Sequence, residues 1–264
     1  MSTEAPRRPA APPAAVRELA AARPVRLAWA NDDALTFDVG DGRDRCFVKW
    51  APAGSPLDLA AEAARMTWAA AFTPVPRVLS QDADGEGSWL VTAPLPGQSA
   101  VSPRWLADPR AAVTAIGAGL RALHDALPVA GCPFSWRAED RIGAAERAAA
   151  AGRLDPSDWD PAHRELGVEG MLAQARDIPP ADRLVVCHGD ACAPNTLITG
   201  DGRCCGHVDL GDLGVADRWA DLAVATWSTE WNYGPGWEQP LLDAYGIEPD
   251  ARRTRYYRLL WELG

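Results

Sequence analysis

The sequence HGDACAPN occupies residues 188–195, and the sequence VDLG follows it at residues 208–211. The spacing His-x-Asp-x-x-x-x-Asn is typical of a phosphoryl-transfer loop, in which the Asp accepts a proton from a substrate hydroxyl and the Asn turns back to a metal ion. Asp190 is therefore the candidate catalytic base, and Asn195 is a candidate metal ligand. In the D-x-G pattern that follows, Asp209 is the second candidate ligand, for a metal that bridges nucleotide phosphates.

A hairpin is predicted between the two halves of this motif. Short extended runs at 197–199 and 206–208 flank the sequence GDG at 200–202, which is a turn signal. Pro194 disfavours a helical conformation in the residue before it, so the preceding loop is expected to be ordered. The hairpin would return the D-x-G pattern to the end of the catalytic loop.

Lys49 is the only lysine of the chain, and every other residue of the Lys/Arg class is arginine. It lies on an apolar extended run, and Glu62 follows it in a helix predicted over 57–68. An ammonium that meets nucleotide phosphates and is held by a carboxylate is the clamp arrangement of kinases. A compact ammonium suits that role better than a guanidinium. Lys49 and Glu62 are thus predicted to pair at a nucleotide site, the alternative being a coding bias toward arginine with one accidental lysine.

Changes in composition and Pro/Gly-rich stretches divide the chain into three segments. Residues 1–23 are rich in Ala, Pro and Arg and are expected to be a flexible tail with a short helical turn at 15–22. Residues 24–95 contain hairpin patterns and one helix, which predicts a β-rich nucleotide-binding lobe. Residues 96–264 become helical beyond residue 103 and form the predicted catalytic and substrate-binding lobe. Pro and Gly near residue 96 mark the hinge between these lobes.

Two helical regions of the C-terminal segment have readable patterns. Apolar residues recur at helical spacing over 111–127, which predicts a buried face, and His124 in that stretch is interpreted as a structural histidine. The charged, Ala-rich region 139–175 is expected to form two helices around the acidic sequence 154–160.

Together these motifs resemble the aminoglycoside phosphotransferase family, and most closely its 3'-type resistance kinases. The matching stretches are FVK at 47–49, WLVT at 89–92, PG at 96–97, ALH at 122–124, CPF at 132–134, VVCHGD at 185–190, VDLG at 208–211, LGVADR at 213–218, DLA at 221–223 and YRLL at 257–260. The resemblance implies an α+β, two-lobed protein-kinase-like fold with a small β-rich N-lobe and a larger helical C-lobe. It also implies ATP or GTP as phosphate donor, Mg²⁺ as cofactor, and phosphorylation of a sugar hydroxyl on a cationic antibiotic, which would give resistance by inactivation.

The resemblance also suggests where ligands bind. Main-chain groups at Ala93 and Leu95 would bond the adenine edge. Glu262 and the terminal carboxylate of Gly264 would attract ammonium groups of the acceptor. The acidic insertion would add Asp155, Asp158 and Asp160, although helix caps and turn residues explain these three carboxylates equally well.

Several positions depart from the family pattern. Asp212 and Trp227 stand where arginine is expected, and Trp231 and Trp261 stand where acidic residues are expected. These tryptophans are either part of a Trp-rich core, as is favoured for Trp219, or an aromatic wall for sugar faces and amines. Trp231 and Trp261 are therefore retained as candidate substrate residues.

Composition limits the kind of partner. The 264 residues carry a net charge of −10, which disfavours nucleic acid or an anionic membrane and favours a cationic small molecule. Six cysteines without a C-x-x-C pattern predict a reducing cytoplasm, and the zinc-ligand types between residues 187 and 207 lack zinc spacing. No apolar run is long enough for a membrane span, and no signal-peptide core is visible. We expect a cytoplasmic monomer or weak dimer.

Two alternatives to an aminoglycoside kinase remain open from the sequence. The first is a kinase for another small hydroxyl compound, such as a macrolide, an amino alcohol or an antibiotic intermediate. The second is a nucleotide-binding pseudokinase. Asp32 and Asp33, in the stretch that aligns with the phosphate-covering loop, favour the pseudokinase because carboxylates repel phosphates. The complete set of kinase-type residues opposes it.

Overall fold

The computed structural model describes residues 11–264, apart from the side chain of Asp158. The chain divides into two compact units, one ending at Pro96 and the other beginning at Gly97. The predicted α+β class, with a β-rich N-terminal part and a larger helical C-terminal part, is confirmed. Within the described residues, none of the helices has the length and apolar character needed to span a bilayer.

An antiparallel sheet forms the centre of the N-terminal unit. Its elements are α1 (Ala14–Ala20), β1 (Val25–Ala30), β2 (Leu35–Val39), β3 (Cys46–Pro52), α2 (Leu59–Ala69), β4 (Val78–Ala83) and β5 (Gly87–Thr92). The five strands are arranged in the order β1-β2-β3-β5-β4. The hairpin predicted over 35–50 is present, with Leu35 opposite Trp50. Strand β3 is central, so Lys49 lies between Thr36 on β2 and Leu90 on β5.

The helical turn expected at 15–22 is present as α1, but this part of the expected tail is packed against the sheet. Residues 1–10 of that predicted tail lie outside the described residues, but residues 14–20 form α1. Val16 and Ala20 on this helix are buried against Phe37, Val39 and Val48 of the sheet. Their i, i+4 spacing places both on one face of the helix. Composition suggested a tail because alanine gives little hydrophobic signal, whereas tertiary packing against the sheet orders the segment.

The C-terminal unit consists of helices with two small sheets. Its elements are β6 (Gln98–Ser99), α3 (Pro103–Leu106), α4 (Pro109–Ala126), α5 (Ala138–Ala150), α6 (Pro161–Ala175), β7 (Leu184–Cys187), β8 (Thr196–Ile198), β9 (Cys204–His207), β10 (Gly214–Asp217), α7 (Trp219–Tyr233), α8 (Glu238–Tyr245) and α9 (Ala251–Glu262). One sheet has the order β6-β8-β9, and the other pairs β7 with β10. The predicted hairpin around residues 200–202 is the β8–β9 pair.

Helix α4 confirms the periodic pattern read from the sequence. The Asp108 carboxylate caps it by accepting from the Ala111 N–H at 3.2 Å, and Pro109 occupies the first turn. Its apolar stripe is buried, and α4 packs closely on α8: a Cβ at Gly117 would lie 2.4 Å from the Leu241 carbonyl oxygen. Glycine is therefore required there for the two helices to approach.

Helix α7 is buried over most of its length, from Trp219 to Thr229. A helix that is buried on all sides forms part of the core, so polar groups on it need partners. Two of its polar side chains, Asp221 and Ser228, have those partners in the loop between β7 and β8, at residues 188–195.

Candidate active site

The predicted base and metal ligand lie side by side in the loop that joins β7 to β8. A short 3-10 turn, Ala193–Asn195, closes this loop. The Asn195 side-chain amide donates from Nδ2 to the main-chain oxygen of Asp190 at 3.0 Å and to its Oδ2 at 2.9 Å. Because Nδ2 makes both bonds, the amide oxygen of Asn195 remains for another ligand.

The second oxygen of Asp190 is in a different environment. Asp190 Oδ1 is buried and accepts no hydrogen bond from the part of the chain that the structure describes. A buried acceptor without a donor is costly, and such atoms in native structures call for a functional explanation. A substrate hydroxyl that donates to Oδ1 would satisfy it, as a general base requires.

Asp209 lies two residues beyond β9 and has an unusual backbone. Its φ is 63°, in the left-handed region that residues other than glycine rarely occupy, and strain of this kind clusters at functional sites. The Val208 N–H donates to the Asn195 carbonyl at 3.0 Å, so Asp209 directly follows the residue that is bonded to Asn195. The hairpin thus brings the two predicted metal ligands together. An amide oxygen and a carboxylate are hard oxygen donors, which fit Mg²⁺.

His188 joins the catalytic loop to the segment before Asp209. Its Nδ1 accepts from the Asp190 N–H at 3.3 Å, and its Nε2 lies 2.9 Å from the Val208 carbonyl oxygen. The ring proton therefore lies on Nε2, where it can be donated to that carbonyl. His188 thus has a structural role, since its ring connects the loop to the segment before Asp209.

Asp221 on α7 anchors the start of the loop. Its carboxylate accepts from the main-chain N–H groups of His188 at 2.6 Å and Gly189 at 3.0 Å, and it lies 2.9 Å from Nε2 of His124. Burial alone would raise the pKa of Asp221, but the hydrogen bonds from His124 and from the main-chain N–H of His188 outweigh burial and lower it. His124 is completed by Tyr245, whose hydroxyl lies 2.9 Å from Nδ1, so its predicted structural role is confirmed.

Sequence reasoning assigned no role to Asp221. The available signal was a lone carboxylate inside an apolar helical run, since such a group cannot be buried without partners. Cys187 lies close enough to His124 and Asp221 to suggest a metal site. However, both ring nitrogens of His124 already have hydrogen-bond partners, so the cluster is better explained as support for the loop.

Ser228 anchors the other end of the loop. Its hydroxyl accepts from the Ala193 N–H at 2.9 Å, and the Asn232 side-chain amide donates to the Ser228 carbonyl at 2.7 Å and hydroxyl at 3.2 Å. Asp221 and Ser228 are seven residues apart, which places them on the same face of α7. One helix therefore fixes both ends of the catalytic loop.

The predicted ion pair of Lys49 is present in the N-terminal unit. Lys49 Nζ lies 2.8 Å from Glu62 Oε2, and both side chains are largely buried. Asp58 caps α2 by accepting from the Ala61 N–H at 2.8 Å, which places Glu62 in the first turn of the helix. A buried pair of this kind has to be maintained by good geometry, which argues against an accidental lysine.

The main-chain groups expected to bind adenine are only partly available. The Ala93 N–H donates to the Arg77 carbonyl at 2.9 Å within the N-terminal unit. The carbonyl of Ala93, rather than its N–H, is therefore the group left for a nucleotide base. That a main-chain group of Leu95 bonds the adenine edge stays a prediction.

Within the acidic sequence at 154–160, the side chains of Asp155 and Asp160 accept hydrogen bonds from nearby main-chain N–H groups. Asp155 accepts from the Ser157 N–H at 2.9 Å, a bond that lowers the pKa of Asp155, and Asp160 caps α6 by accepting from the Ala162 N–H at 2.9 Å. The side chain of Asp158 lies outside the described residues. For Asp155 and Asp160 the structure thus bears out the alternative explanation in terms of local hydrogen bonding.

The two C-terminal carboxylates expected to meet the acceptor are bonded within the protein. Glu262 Oε1 accepts from the Asp160 N–H at 2.6 Å, Oε2 lies 2.5 Å from Nδ1 of His163, and the side chain is only 6% exposed. A terminal oxygen of Gly264 accepts from Arg141 at 3.4 Å, and burial lowers the pKa of Arg141 to about 10. Both oxygens of Glu262 are therefore engaged within the protein in this conformation, and its contact with an acceptor stays a prediction. The sequence could not show this because Glu262 and His163 are 99 residues apart.

The tryptophans divide into core and surface. Trp219 is fully buried, as favoured from the sequence, whereas Trp227, Trp231 and Trp261 form a cluster of rings. Trp231 is 37% exposed, so this cluster reaches the surface.

Comparison with known proteins agrees with this geometry. The chain matches the phosphotransferase enzyme family over residues 24–257. An aminoglycoside 3'-phosphotransferase of Streptomyces fradiae is 39% identical over 224 residues, which are 81% of this chain and 82% of that protein. A streptomycin 3''-kinase of Streptomyces griseus is 37% identical over 227 residues, covering 80% of this chain and 82% of that protein.

Solved structures give the same result. The aminoglycoside phosphotransferase APH(3'')-Id of Streptomyces rimosus, in complex with ADP and streptomycin, has a TM-score of 0.75 and 29% identity, with 94% of this chain and 95% of that chain covered. Sequence and structure thus match over nearly the whole length of this chain. The chain belongs to the phosphotransferase enzyme family, and its resemblance to the aminoglycoside phosphotransferases is confirmed.

Proposed function

We propose that this chain transfers the γ-phosphoryl group of ATP to a hydroxyl of an aminoglycoside-type antibiotic and thereby inactivates it. The observation that carries the proposal is the asymmetry of Asp190, whose Oδ2 is held by Asn195 while Oδ1 is buried without a donor. The relatives named above act on aminoglycosides or streptomycin, which supports this class of acceptor.

In this mechanism Asp190 Oδ1 accepts the proton of the acceptor hydroxyl. The hydroxyl oxygen forms a bond to the γ-phosphorus, the bond from that phosphorus to the bridging oxygen of ADP breaks, and ADP leaves with the electron pair. The bond from Asn195 keeps the carboxylate oriented, and the anchors on α7 keep the loop in place. Positioning of this kind is the main contribution that a protein makes to phosphoryl transfer.

Each unit carries candidate residues for binding MgATP. In the N-terminal unit, Lys49 would bind the phosphates while Glu62 fixes its ammonium, and the Ala93 carbonyl and Leu95 would meet the base. In the C-terminal unit, Asn195 and Asp209 would hold magnesium, which when bound neutralises phosphate charge. GTP is the alternative phosphate donor.

The test is a panel of acceptors with ADP release as the readout. Purified protein is mixed with MgATP and streptomycin, kanamycin, a macrolide or ethanolamine, and products are checked for a phosphate ester by mass spectrometry. We expect turnover with an aminoglycoside. Turnover only with the macrolide or ethanolamine would replace the proposed acceptor class, and nucleotide binding without turnover on any acceptor would favour the pseudokinase.

The role of Asp190 is tested in the same assay. Asp190→Asn keeps the size and the bond to Asn195 but removes the base, so turnover should fall by about 100 to 10,000-fold while ATP binding stays near normal. Asp201→Asn, in the turn of the β8–β9 hairpin, is the matched control and should keep full activity. Retention of activity by Asp190→Asn would refute the assignment.

A further inference from the structure

Three tryptophan rings form a continuous cluster on the C-terminal unit, and we name Trp227, Trp231 and Trp261 the tryptophan platform. The ring centroids of Trp227 and Trp231 are 5.0 Å apart, those of Trp231 and Trp261 are 5.4 Å apart, and those of Trp227 and Trp261 are 6.2 Å apart. Trp227 is buried at 9% exposure, whereas Trp231 is 37% exposed. The cluster thus runs from the interior at Trp227 to the surface at Trp231, and aromatic side chains of this kind commonly line ligand-binding sites.

The platform is close to the catalytic loop through α7. Ser228 on that helix accepts from Ala193 of the loop at 2.9 Å. Trp231 comes three residues later, about 4.5 Å along the helix axis and about 60° around it. The exposed ring therefore starts at the edge of the helix face that holds the loop carrying Asp190.

Two side chains that contact the Trp227 ring are paired with carboxylates within the protein. His163 packs edge-on against the Trp227 ring at 6.2 Å and bonds to Glu262. Arg258 lies over the same ring at 5.5 Å, and its Nη2 lies 3.0 Å from Glu238. The carboxylate expected to attract the acceptor is thus paired, and what the platform offers to a ligand is an aromatic face.

We propose that the tryptophan platform is the specificity-determining part of the acceptor site, where Trp231 contacts the face of an amino-sugar ring and its ammonium groups. Such rings carry C–H groups and cations that interact favourably with an indole face, and tryptophan is the strongest partner for a cation among the aromatic side chains. The proposal rests on the proposed function, since it assumes an amino-sugar acceptor. It differs from recognition by Glu262 and the terminal carboxylate, which the resemblance implied.

The experiment compares Trp231→Ala and Trp231→Phe with the unsubstituted protein. Streptomycin and kanamycin are the probes, and binding is measured by calorimetry in the presence of a non-hydrolysable ATP analogue. Turnover is measured separately with MgATP on the same protein preparations. Trp231→Ala should weaken binding of the acceptor that is turned over by about tenfold, which corresponds to about 1.4 kcal/mol. Trp231→Phe, which keeps an aromatic face, should lose less, and the KM for ATP should not change in either variant.

Trp237→Ala is the matched control. Trp237 is another partly exposed tryptophan, at the start of α8, whose indole donates to the Tyr233 carbonyl. Its loss should leave acceptor binding unchanged. Thermal unfolding of all variants, with the Trp231→Phe data as the second measurement, separates lost recognition from lost folding.

The outcomes distinguish the two proposals. Turnover of an aminoglycoside with unchanged acceptor affinity in Trp231→Ala would overturn the platform and leave the proposed function intact. Absence of turnover and of binding for both probes in the unsubstituted protein would overturn both. Light scattering that shows a dimer lost in Trp231→Ala would assign the exposed ring to self-association and also overturn the platform.

Discussion

Asp221→Asn tests whether α7 holds the catalytic loop. The carboxylate of Asp221 receives three donors, the main-chain N–H groups of His188 and Gly189 and the ring of His124. Asparagine can keep its oxygen toward Gly189, where Oδ1 accepts at 3.0 Å. Its Nδ2 would then replace Oδ2, so an N–H group would face the donors of His188 and His124.

The expected cost follows from the two donors, on His188 and His124, that lose Oδ2 as their acceptor. A buried donor left without an acceptor costs about 1–3 kcal/mol, so two of them cost about 2–6 kcal/mol. His124 can lower this cost by changing its tautomer. Its Nε2 would then accept from the new N–H, and its Nδ1 would donate to the Tyr245 hydroxyl, which can act as donor or acceptor. We therefore expect a loss of about 3 kcal/mol, a large share of the 5–15 kcal/mol typical of a folded domain. Displacement of the loop by about 1 Å should lower kcat by about 100-fold.

The assay combines urea unfolding with initial rates at a temperature where each variant is folded. Asp217→Asn is the control, because Asp217 is also buried but its carboxylate accepts from Trp219 at 2.9 Å and Asp182 at 2.5 Å. That variant should lose stability without the fall in kcat. A stability loss below about 1 kcal/mol in Asp221→Asn, together with an unchanged kcat, would refute the anchoring role.

The pH dependence gives a further check on Asp221. Its pKa is lowered in the folded protein, so its carboxylate contributes stability above the unfolded carboxyl pKa of about 4, and this contribution is lost as the pH falls through the folded pKa. Between these two pKa values the free energy of unfolding should therefore fall less steeply with decreasing pH in Asp221→Asn than in the unsubstituted protein. Equal steepness in both proteins would indicate that other groups control acid unfolding.

Three further predictions concern other parts of the molecule. Lys49→Arg places a larger planar cation beside Glu62, so we expect kcat to fall at least about tenfold in the ADP-release assay, and unchanged kinetics would contradict the clamp. Gly189→Ala should destabilise the protein by about 2 kcal/mol in urea unfolding, because the φ of 92° is unfavourable for alanine and its Cβ would lie 2.4 Å from the Asp212 carbonyl oxygen. Glu262→Ala should cost about 2–4 kcal/mol, because it removes the buried bonds between α9 and the start of α6, and a melting temperature within error of the unsubstituted protein would show those bonds to be unimportant.

The chemistry of the candidate site was predictable from local sequence because its geometry is set over short distances. Asp190, Asn195 and Asp209 belong to one loop and one hairpin, and the turn signals between them specify how the chain returns. The pair of Lys49 and Glu62 was predictable for a similar reason, since a strand and the next helix carry them. Helix α4 was predicted because its apolar residues recur with the helical period.

What the sequence by itself determined is therefore the α+β class, the order of the elements, and the candidate residues for phosphoryl transfer. Only the tertiary structure decided that α7 holds both ends of the catalytic loop, that His163 takes up Glu262, and that three tryptophans from α7 and α9 share one surface. The physical reason is the range of the interaction. Turns, caps and periodicity act between near neighbours in the chain, whereas a buried carboxylate selects its partners by proximity after folding, and no local pattern marks a partner 99 residues away.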